Sequence, residues 1–299
     1  MELCKISGNT YYIPGPTNTG VFLFKDKYTL LLDTGDSNQY GRRICELLHQ
    51  QGLMIKYVVN THEHPDHCGG NLYIRENHPG SQFYSSPEAA LFIKNDFLAP
   101  LYLYGGLPPD ELARHFTRAK KLRVDETLPV GPAKIHEERF DILTLGGHAY
   151  GQIGVGTRDR VCFLGDALFS PEIIAKYSFP FLFSIGSQIQ TLDTIAGMEY
   201  EFYVLGHADR VYDHQELHSV LQANRAALDK YLNLVLELLY QPKTREELLE
   251  EVVILDALQL DLKEYYYLLS TLGAMLAYLG QQSLVEYQIE DGRLYYYRE

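Results

Sequence analysis

Residues 61–71 read THEHPDHCGGN, and the run IKYVVN at 55–60 leads directly into them. The apolar run has the pattern of a buried strand. A strand that delivers its end to a polar, Gly-containing loop is the usual way a scaffold presents a site. Within this loop His62, His64, Asp66 and His67 are spaced as HxHxDH. Imidazole and carboxylate donors together suit a borderline divalent cation such as zinc, with manganese or iron as alternatives. Residues two apart on an extended segment point the same way. His62 and His64 can therefore share one ion while Asp66 and His67 turn towards a second. Pro65 stiffens the link. Gly69 and Gly70 let the following backbone pack closely.

Four donors within one short loop cannot close two coordination shells, so others must arrive from elsewhere, preferably from strand ends. Three places fit. His148 lies in GGHAYGQIG, after an apolar run at 140–145. Asp166 lies in FLGDALF, after a run at 160–164. His207 lies in VLGHADR, after a run at 202–205. Each is a polar residue preceded by Gly at the mouth of a strand pattern. The other histidines show no such placement. His214 and His218 stand four apart on a helical pattern, but they are not needed to complete either shell.

Outward from these turns, the first half reads as short strands at 10–13, 20–24 and 29–33, then a helix at 40–51 with Ile44, Leu47 and Leu48 on one face. Residues 86–130 read as helix, loop and helix, with the aromatic stretch LYLYGG; a second aromatic segment, IIAKYSFPFLFSIG, follows at 173–186. A long helix is expected at 214–240. A capping box at Thr244 and Glu247 starts another, and a third spans 262–279 and ends at Gly280. Strands at 283–288 and 294–297 alternate around Glu290-Asp291-Gly292, a hairpin signal.

At 299 residues the chain has room for one large domain and a small one. A boundary at 213/214 divides it into a catalytic domain, 1–213, and a helical domain, 214–299. No uninterrupted apolar stretch of ~18 residues is present, so no membrane span is expected. The first residues lack a basic head followed by an apolar run, so a cytoplasmic location is expected. The net charge of −13 disfavours phosphate backbones and anionic lipid. Cys4, Cys45, Cys68 and Cys162 are scattered, which argues for free thiols rather than a disulfide framework or a thiolate zinc site. Cys68 reads as a small buried residue packing the metal loop.

Taken in order, HxHxDH, GHxxGxxG, GD and GH, with LLDTG at 31–35, resemble the metallo-β-lactamase superfamily of binuclear metallohydrolases from about residue 10 to 212. The resemblance implies an α+β fold, a four-layer αββα sandwich with two divalent metal ions at one edge of its sheets. It implies one metal held by His62, His64 and His148, the other by Asp66, His67 and His207, with Asp166 bridging. Asp33 resembles the carboxylate that props the metal loop. The diiron flavoprotein branch typically has Glu where this chain has His64, which points to hydrolysis rather than redox chemistry. The expected reaction is attack on an ester, thioester or lactone of a small molecule by a metal-bridging hydroxide, with Asp66 orienting it. Tyr102, Tyr104, Tyr177 and Phe179, with Phe181, are candidates for the substrate pocket, or for packing against the C-terminal part.

The helix–helix–hairpin order after residue 213 resembles the winged-helix tail of some superfamily hydrolases. Residues 213–299 hold 15 acidic and 7 basic side chains, a net of −8, and so lack the basic stripe a duplex needs. The segment is read as a packing, dimer-forming or pocket-covering module. Two other functions compete: a single-stranded RNA endonuclease of the same superfamily, and a regulatory DNA-binding protein. β-Lactam hydrolysis does not follow from membership alone.

Overall fold

Side-chain alternation along the strands decides the layers. Leu30 and Leu32 belong to one buried cluster and Leu31, between them, to another. Val161 and Phe163 likewise separate from Cys162 and Leu164. Strands with both faces buried read as unbroken apolar runs, and they demand cover on two sides. The computed structural model describes residues 1–117, 122–177 and 181–298.

The first sheet has seven strands in sequential order: β1 (Cys4–Ser7), β2 (Thr10–Ile13), β3 (Thr19–Leu23), β4 (Tyr28–Leu32), β5 (Met54–Val59), β6 (Gln82–Ser85) and β7 (Glu126–Thr127). Pairing is antiparallel through β4 and parallel from β4 to β7. The second sheet has six strands: β8 (Gly131–Ile135), β9 (Glu138–Thr144), β10 (Ile153–Thr157), β11 (Val161–Gly165), β12 (Phe202–Leu205) and β13 (Tyr212–Asp213). In it β9 and β11 flank the antiparallel β10, and β11 pairs in parallel with β12. The chain therefore leaves β9, β11 and β12 at one edge, where His148, Asp166 and His207 follow.

Helices cover the outer faces. They are α1 (Asn38–Gln50), α2 (Pro65–Cys68), α3 (Asn71–Asn77), α4 (Pro87–Lys94), α5 (Leu98–Tyr104), α6 (Asp110–Arg114), α7 (Pro171–Tyr177), α8 (Ile185–Ala196), α9 (His214–Leu238), α10 (Arg245–Leu255) and α11 (Leu262–Gln281). Phe22, Leu30, Leu32 and Val59 meet Phe140, Ile142, Val155 and Phe163 between the sheets. Tyr40, Ile44 and Leu48 of α1 pack on Val21, Leu31 and Val58 outside the first sheet. Leu192, Leu217 and Leu272, from α8, α9 and α11, share a core with Leu164 and Tyr203 outside the second. This is the expected α+β sandwich, helix–sheet–sheet–helix. Each fully buried Leu or Phe removes apolar surface worth about 1.5–3 kcal/mol from water.

The C-terminal helices are capped by side chains. Asp213, Thr244 and Asp261 each form a reciprocal capping box with the Glu three residues on. The hairpin β14 (Val285–Glu290) and β15 (Arg293–Arg298) closes through Asp291 and Gly292, both at positive φ (48° and 77°), as a two-residue turn requires. One boundary departs from expectation. Gly280 does not end α11, which runs to Gln281. The left-handed residue that stops it is Ser283 (φ 56°), where Leu284 N–H reaches back to the Leu279 carbonyl at 3.0 Å. No helix among the described residues is long and apolar enough to cross a membrane.

Candidate metal centre

The ends of β5 in the first sheet and of β9, β11 and β12 in the second lie at one edge, and the loops beyond them carry every candidate ligand. His62 follows β5, His64 caps α2, and Asp66 and His67 lie within α2. The loop is pressed against its surroundings. A Cβ on Gly69 would lie 2.1 Å from the Asp36 carbonyl carbon, and one on Gly70 2.5 Å from the Thr34 oxygen. Cys68 is fully buried and donates its thiol to the His62 carbonyl at 3.3 Å.

The structure brings all seven residues together in two groups. His62, His64 and His148 form one; Asp66, His67, Asp166 and His207 form the other; within each, the donor atoms lie within 4.8 Å of one another. His148 Nε2 stands 2.9 Å from His64 Nδ1. His67 Nε2 is 3.3 Å from Asp166 Oδ1, and His207 Nε2 is 3.2 Å from Asp66 Oδ2 and 3.3 Å from Asp166 Oδ2. Asp166 also comes within 3.5 Å of His148 Nε2, so it stands between the groups.

The imidazoles are aimed from behind. His67 Nδ1 meets Asp33 Oδ2 at 2.7 Å, His148 Nδ1 donates to the Phe181 carbonyl at 2.9 Å, and His207 Nδ1 to the Pro16 carbonyl at 2.6 Å. His62 Nδ1 lies 3.1 Å from Thr61 Oγ1. With Nδ1–H committed, a neutral ring offers its Nε2 lone pair to the centre. Asp33 does more than hold His67. It also accepts from Thr61 N–H (2.8 Å) and Thr61 O–H (2.7 Å), which locks the start of the loop. A third support is polar and buried: Asn60 Nδ2 donates to the His67 carbonyl at 3.1 Å, and Asn71 Nδ2 donates to Asn60 Oδ1 at 2.7 Å.

Several donors are left bare. His62 Nε2, His67 Nε2 and Asp166 Oδ1 are buried without a hydrogen-bond partner. Buried polar atoms without hydrogen-bond partners are costly, and a divalent cation satisfies them. The residues present therefore fit the metal ions that the sequence motif implies.

The two groups differ electrostatically. Burial, then the neighbouring imidazoles, pushes His62 well down and His64 to about 3, and burial lowers His148. These three rings are neutral and ready to ligate. In the other group burial again pushes the imidazoles down, yet the carboxylates win. Asp166, Asp33 and Asp66 hold His67 well above its ordinary value, and Asp166 and Asp66 raise His207 to about 10. Against the same burial, His67 and His207 hold Asp166 and Asp66 well below the usual carboxylate range. Glu63, between the first two histidines, is buried with Oε2 unpartnered, and burial pushes it up to about 8.

The pocket candidates separate. Phe181 lies against the centre, its ring 5.9 Å from His64 and 5.8 Å from His148. Tyr102 packs between Phe92 and Phe183, and Tyr104 packs on Tyr266 of α11. Tyr177 is exposed at the end of α7 with the Lys176 ammonium over its ring and joins none of these rings. Phe179 lies outside the described residues. Sequence reasoning missed the carbonyls of Pro16 and Phe181, because a backbone group leaves no residue signature. It also missed Tyr267 of α11, whose ring meets Phe181 at a tilt of 46° with centroids 4.6 Å apart.

A family model described as the metallo-beta-lactamase superfamily matches residues 12–207. The chain is 26% identical over 162 residues to a hydroxyacylglutathione hydrolase of Haemophilus influenzae, covering 52% of this chain and 68% of that protein. It is 26% identical over 165 residues to a hydroxyacylglutathione hydrolase of Thermosynechococcus vestitus, covering 53% of this chain and 52% of that one, about half its length. Among solved structures, a metallo-beta-lactamase family protein from Thermus thermophilus matches with TM-score 0.74 at 20% identity, over 97% of this chain and 99% of the other. A beta-lactamase domain protein from Burkholderia ambifaria matches with TM-score 0.77 at 17% identity, over 99% and 93%. The likeness in fold thus extends through the C-terminal helices. Because the family match runs from β2 to His207, and so takes in every residue of both donor groups, the chain belongs to the metallo-β-lactamase superfamily.

Proposed function

We propose that this protein is a hydrolase that uses two divalent metal ions, zinc in the first instance, to cleave a thioester, ester or lactone of a small molecule. His62, His64 and His148 would hold one ion; Asp66, His67 and His207 the other, with Asp166 between them. The observation that carries the reading is the set of buried Nε2 and carboxylate atoms left without partners where the two groups meet. Divalent cations there would supply Lewis-acid charge to polarise the scissile carbonyl and acidify water. The chain supplies the rest. The carbonyls behind His148 and His207 and the Asp33 carboxylate fix ring orientation before substrate arrives. Asp66, 43% exposed against 6% for Asp166, is the cluster's carboxylate at the mouth. Held ionised, it is an acceptor that can orient an attacking water.

Thioesters come first among the substrates because the two relatives described above are hydroxyacylglutathione hydrolases. We read residues 214–299 as a helical, winged-helix-like domain, on the order of α10, α11 and the β14–β15 hairpin; its helices share a core with the second sheet. The test is metal content of the purified protein, followed by a panel of acyl-glutathione thioesters, aryl esters and lactones, with labelled single-stranded RNA alongside. Turnover of an acyl substrate that tracks metal content supports the reading. Metal-loaded protein that cleaves none of the acyl panel refutes it, and cleavage of RNA alone replaces it with the nuclease.

A further inference from the structure

The segment 181–182 is clasped from two sides. The Phe181 carbonyl accepts from His148 Nδ1 at 2.9 Å, and the Leu182 N–H donates to Thr271 Oγ1 of α11 at 3.1 Å. Between these two bonds the Phe181 ring lies against His64 and His148 and meets the Tyr267 ring at a tilt of 46°, centroids 4.6 Å apart. Thr271 is one turn beyond Tyr267 and donates back to its carbonyl at 3.1 Å, so both residues occupy the same stripe of α11. Phe116 meets the Tyr267 ring edge to face, with centroids 5.9 Å apart. The C-terminal helix is thereby fastened to the backbone that aims a candidate ligand.

Tyr267 is half-buried, and among the described residues no hydrogen bond to its hydroxyl is found. Its neighbour Tyr266 turns outward onto Tyr104. Burial, followed by the proximity of Tyr102, Asp66 and Glu63, holds the phenol protonated far above its ordinary range. A protonated O–H donor on a ring that meets Phe181, itself against His64 and His148, is poised for an acceptor that arrives from solution.

We propose that Tyr267 is a substrate-positioning residue: α11 closes one wall of the pocket, and the Tyr267 hydroxyl donates to an oxygen acceptor on the acyl part of the substrate while the Phe181 ring packs against its carbon skeleton. The substrate class that fits is an acyl compound carrying an apolar or aromatic face and a hydroxyl, carbonyl or carboxylate oxygen near the scissile carbon. This rests on the hydrolase reading for the reaction, though not for binding.

The decisive variant is Tyr267→Phe, which removes only the hydroxyl and keeps the ring contact with Phe181. Two readouts are needed. One is the KM–kcat split on any acyl substrate the wild type turns over. The other is the dissociation constant of thiomandelate, an aromatic mercaptocarboxylate, on zinc-loaded protein by calorimetry. Tyr267→Phe should keep wild-type zinc content and melting temperature. It should raise KM and the thiomandelate constant by about three- to tenfold, the worth of one hydrogen bond, with kcat within about twofold. Unchanged KM and unchanged thiomandelate affinity overturn the inference, as does thiomandelate that binds neither protein. If wild type cleaves nothing on the panel while the variant still binds thiomandelate more weakly, the hydrolase reading fails and this one stands. If wild type turns over and the variant matches it in both readouts, the reverse holds.

Discussion

Replacing Asp33 by Asn tests how the metal loop is held. The carboxylate is 3% exposed and accepts three hydrogen bonds: Thr61 N–H into Oδ1, and Thr61 O–H and His67 Nδ1–H into Oδ2. An amide can satisfy only one side. With its oxygen towards Thr61 N–H, its NH2 faces the His67 N–H; flipped, the NH2 faces the Thr61 N–H. Either orientation sets donor against donor. The backbone does not confuse the result, because Asp33 sits at φ 62°, a left-handed conformation that Asn tolerates as well as Asp. The direct loss is one buried, charge-assisted hydrogen bond, about 1.5–3 kcal/mol. The escape open to a neutral His67 is to move its proton to Nε2, which removes the lone pair facing Asp166. Metal affinity of the Asp66/His67/Asp166/His207 group should therefore fall by about 10- to 100-fold, while the other group is little affected. The assay is zinc titration against a chromophoric chelator, with circular dichroism to establish that the variant folds. A folded Asp33→Asn protein that binds both zinc ions with wild-type affinity would refute the argument that Asp33 sets the His67 tautomer.

Other outcomes follow from the same geometry. His64→Ala should lose at least one metal and most turnover, read by mass spectrometry of native protein and by the acyl panel; retention of full metal content would count against the His62/His64/His148 group. Gly206→Ala should disturb the centre without replacing any of the seven donor residues, because the new Cβ would press on Asp166 Oδ1 at 2.1 Å and His67 Cε1 at 2.9 Å. An overpacking cost of about 1–3 kcal/mol and weakened metal binding are expected, and wild-type binding by calorimetry would contradict the close approach. Asp125 governs acid stability away from the site. Despite partial burial, its bonds from Arg75 (2.6 Å) and the Phe83 N–H (2.9 Å) hold its carboxyl below the usual range. A depressed folded value stabilises above the unfolded carboxylate pKa of ~3.9 and is lost as pH falls through the folded value. Asp125→Asn should lower the melting temperature at pH 7 by about 2–4 °C for each kcal/mol lost, and flatten the fall in stability below about pH 4. An unchanged acid limb of the stability curve would show that the pair contributes nothing.

The chain's own order of residues determined a great deal. Apolar runs such as 55–60 and 160–164 carry the pattern of buried strands, and the Gly-preceded His148, Asp166 and His207 fit the places where such strands end, as the structure has them. The capping boxes and the Asp291-Gly292 turn are local chemistry, legible because their partners lie within three residues. The strands β1, β6, β7, β8, β10 and β13 were not read, since short segments acquire their register from neighbours distant in sequence. Gly280 misled for a related reason: the end of α11 is set by the left-handed Ser283 beyond it. Tertiary structure alone decided what stands behind and above the donors. The Pro16 carbonyl reaches His207 across 191 positions, and the Phe181 carbonyl reaches His148 across 33. Tyr267 meets Phe181 only because α11 packs over the second sheet. Ligand types and their spacing are written in side-chain identity, whereas orientation and enclosure come from backbone groups and packing, which every residue possesses and no residue name records.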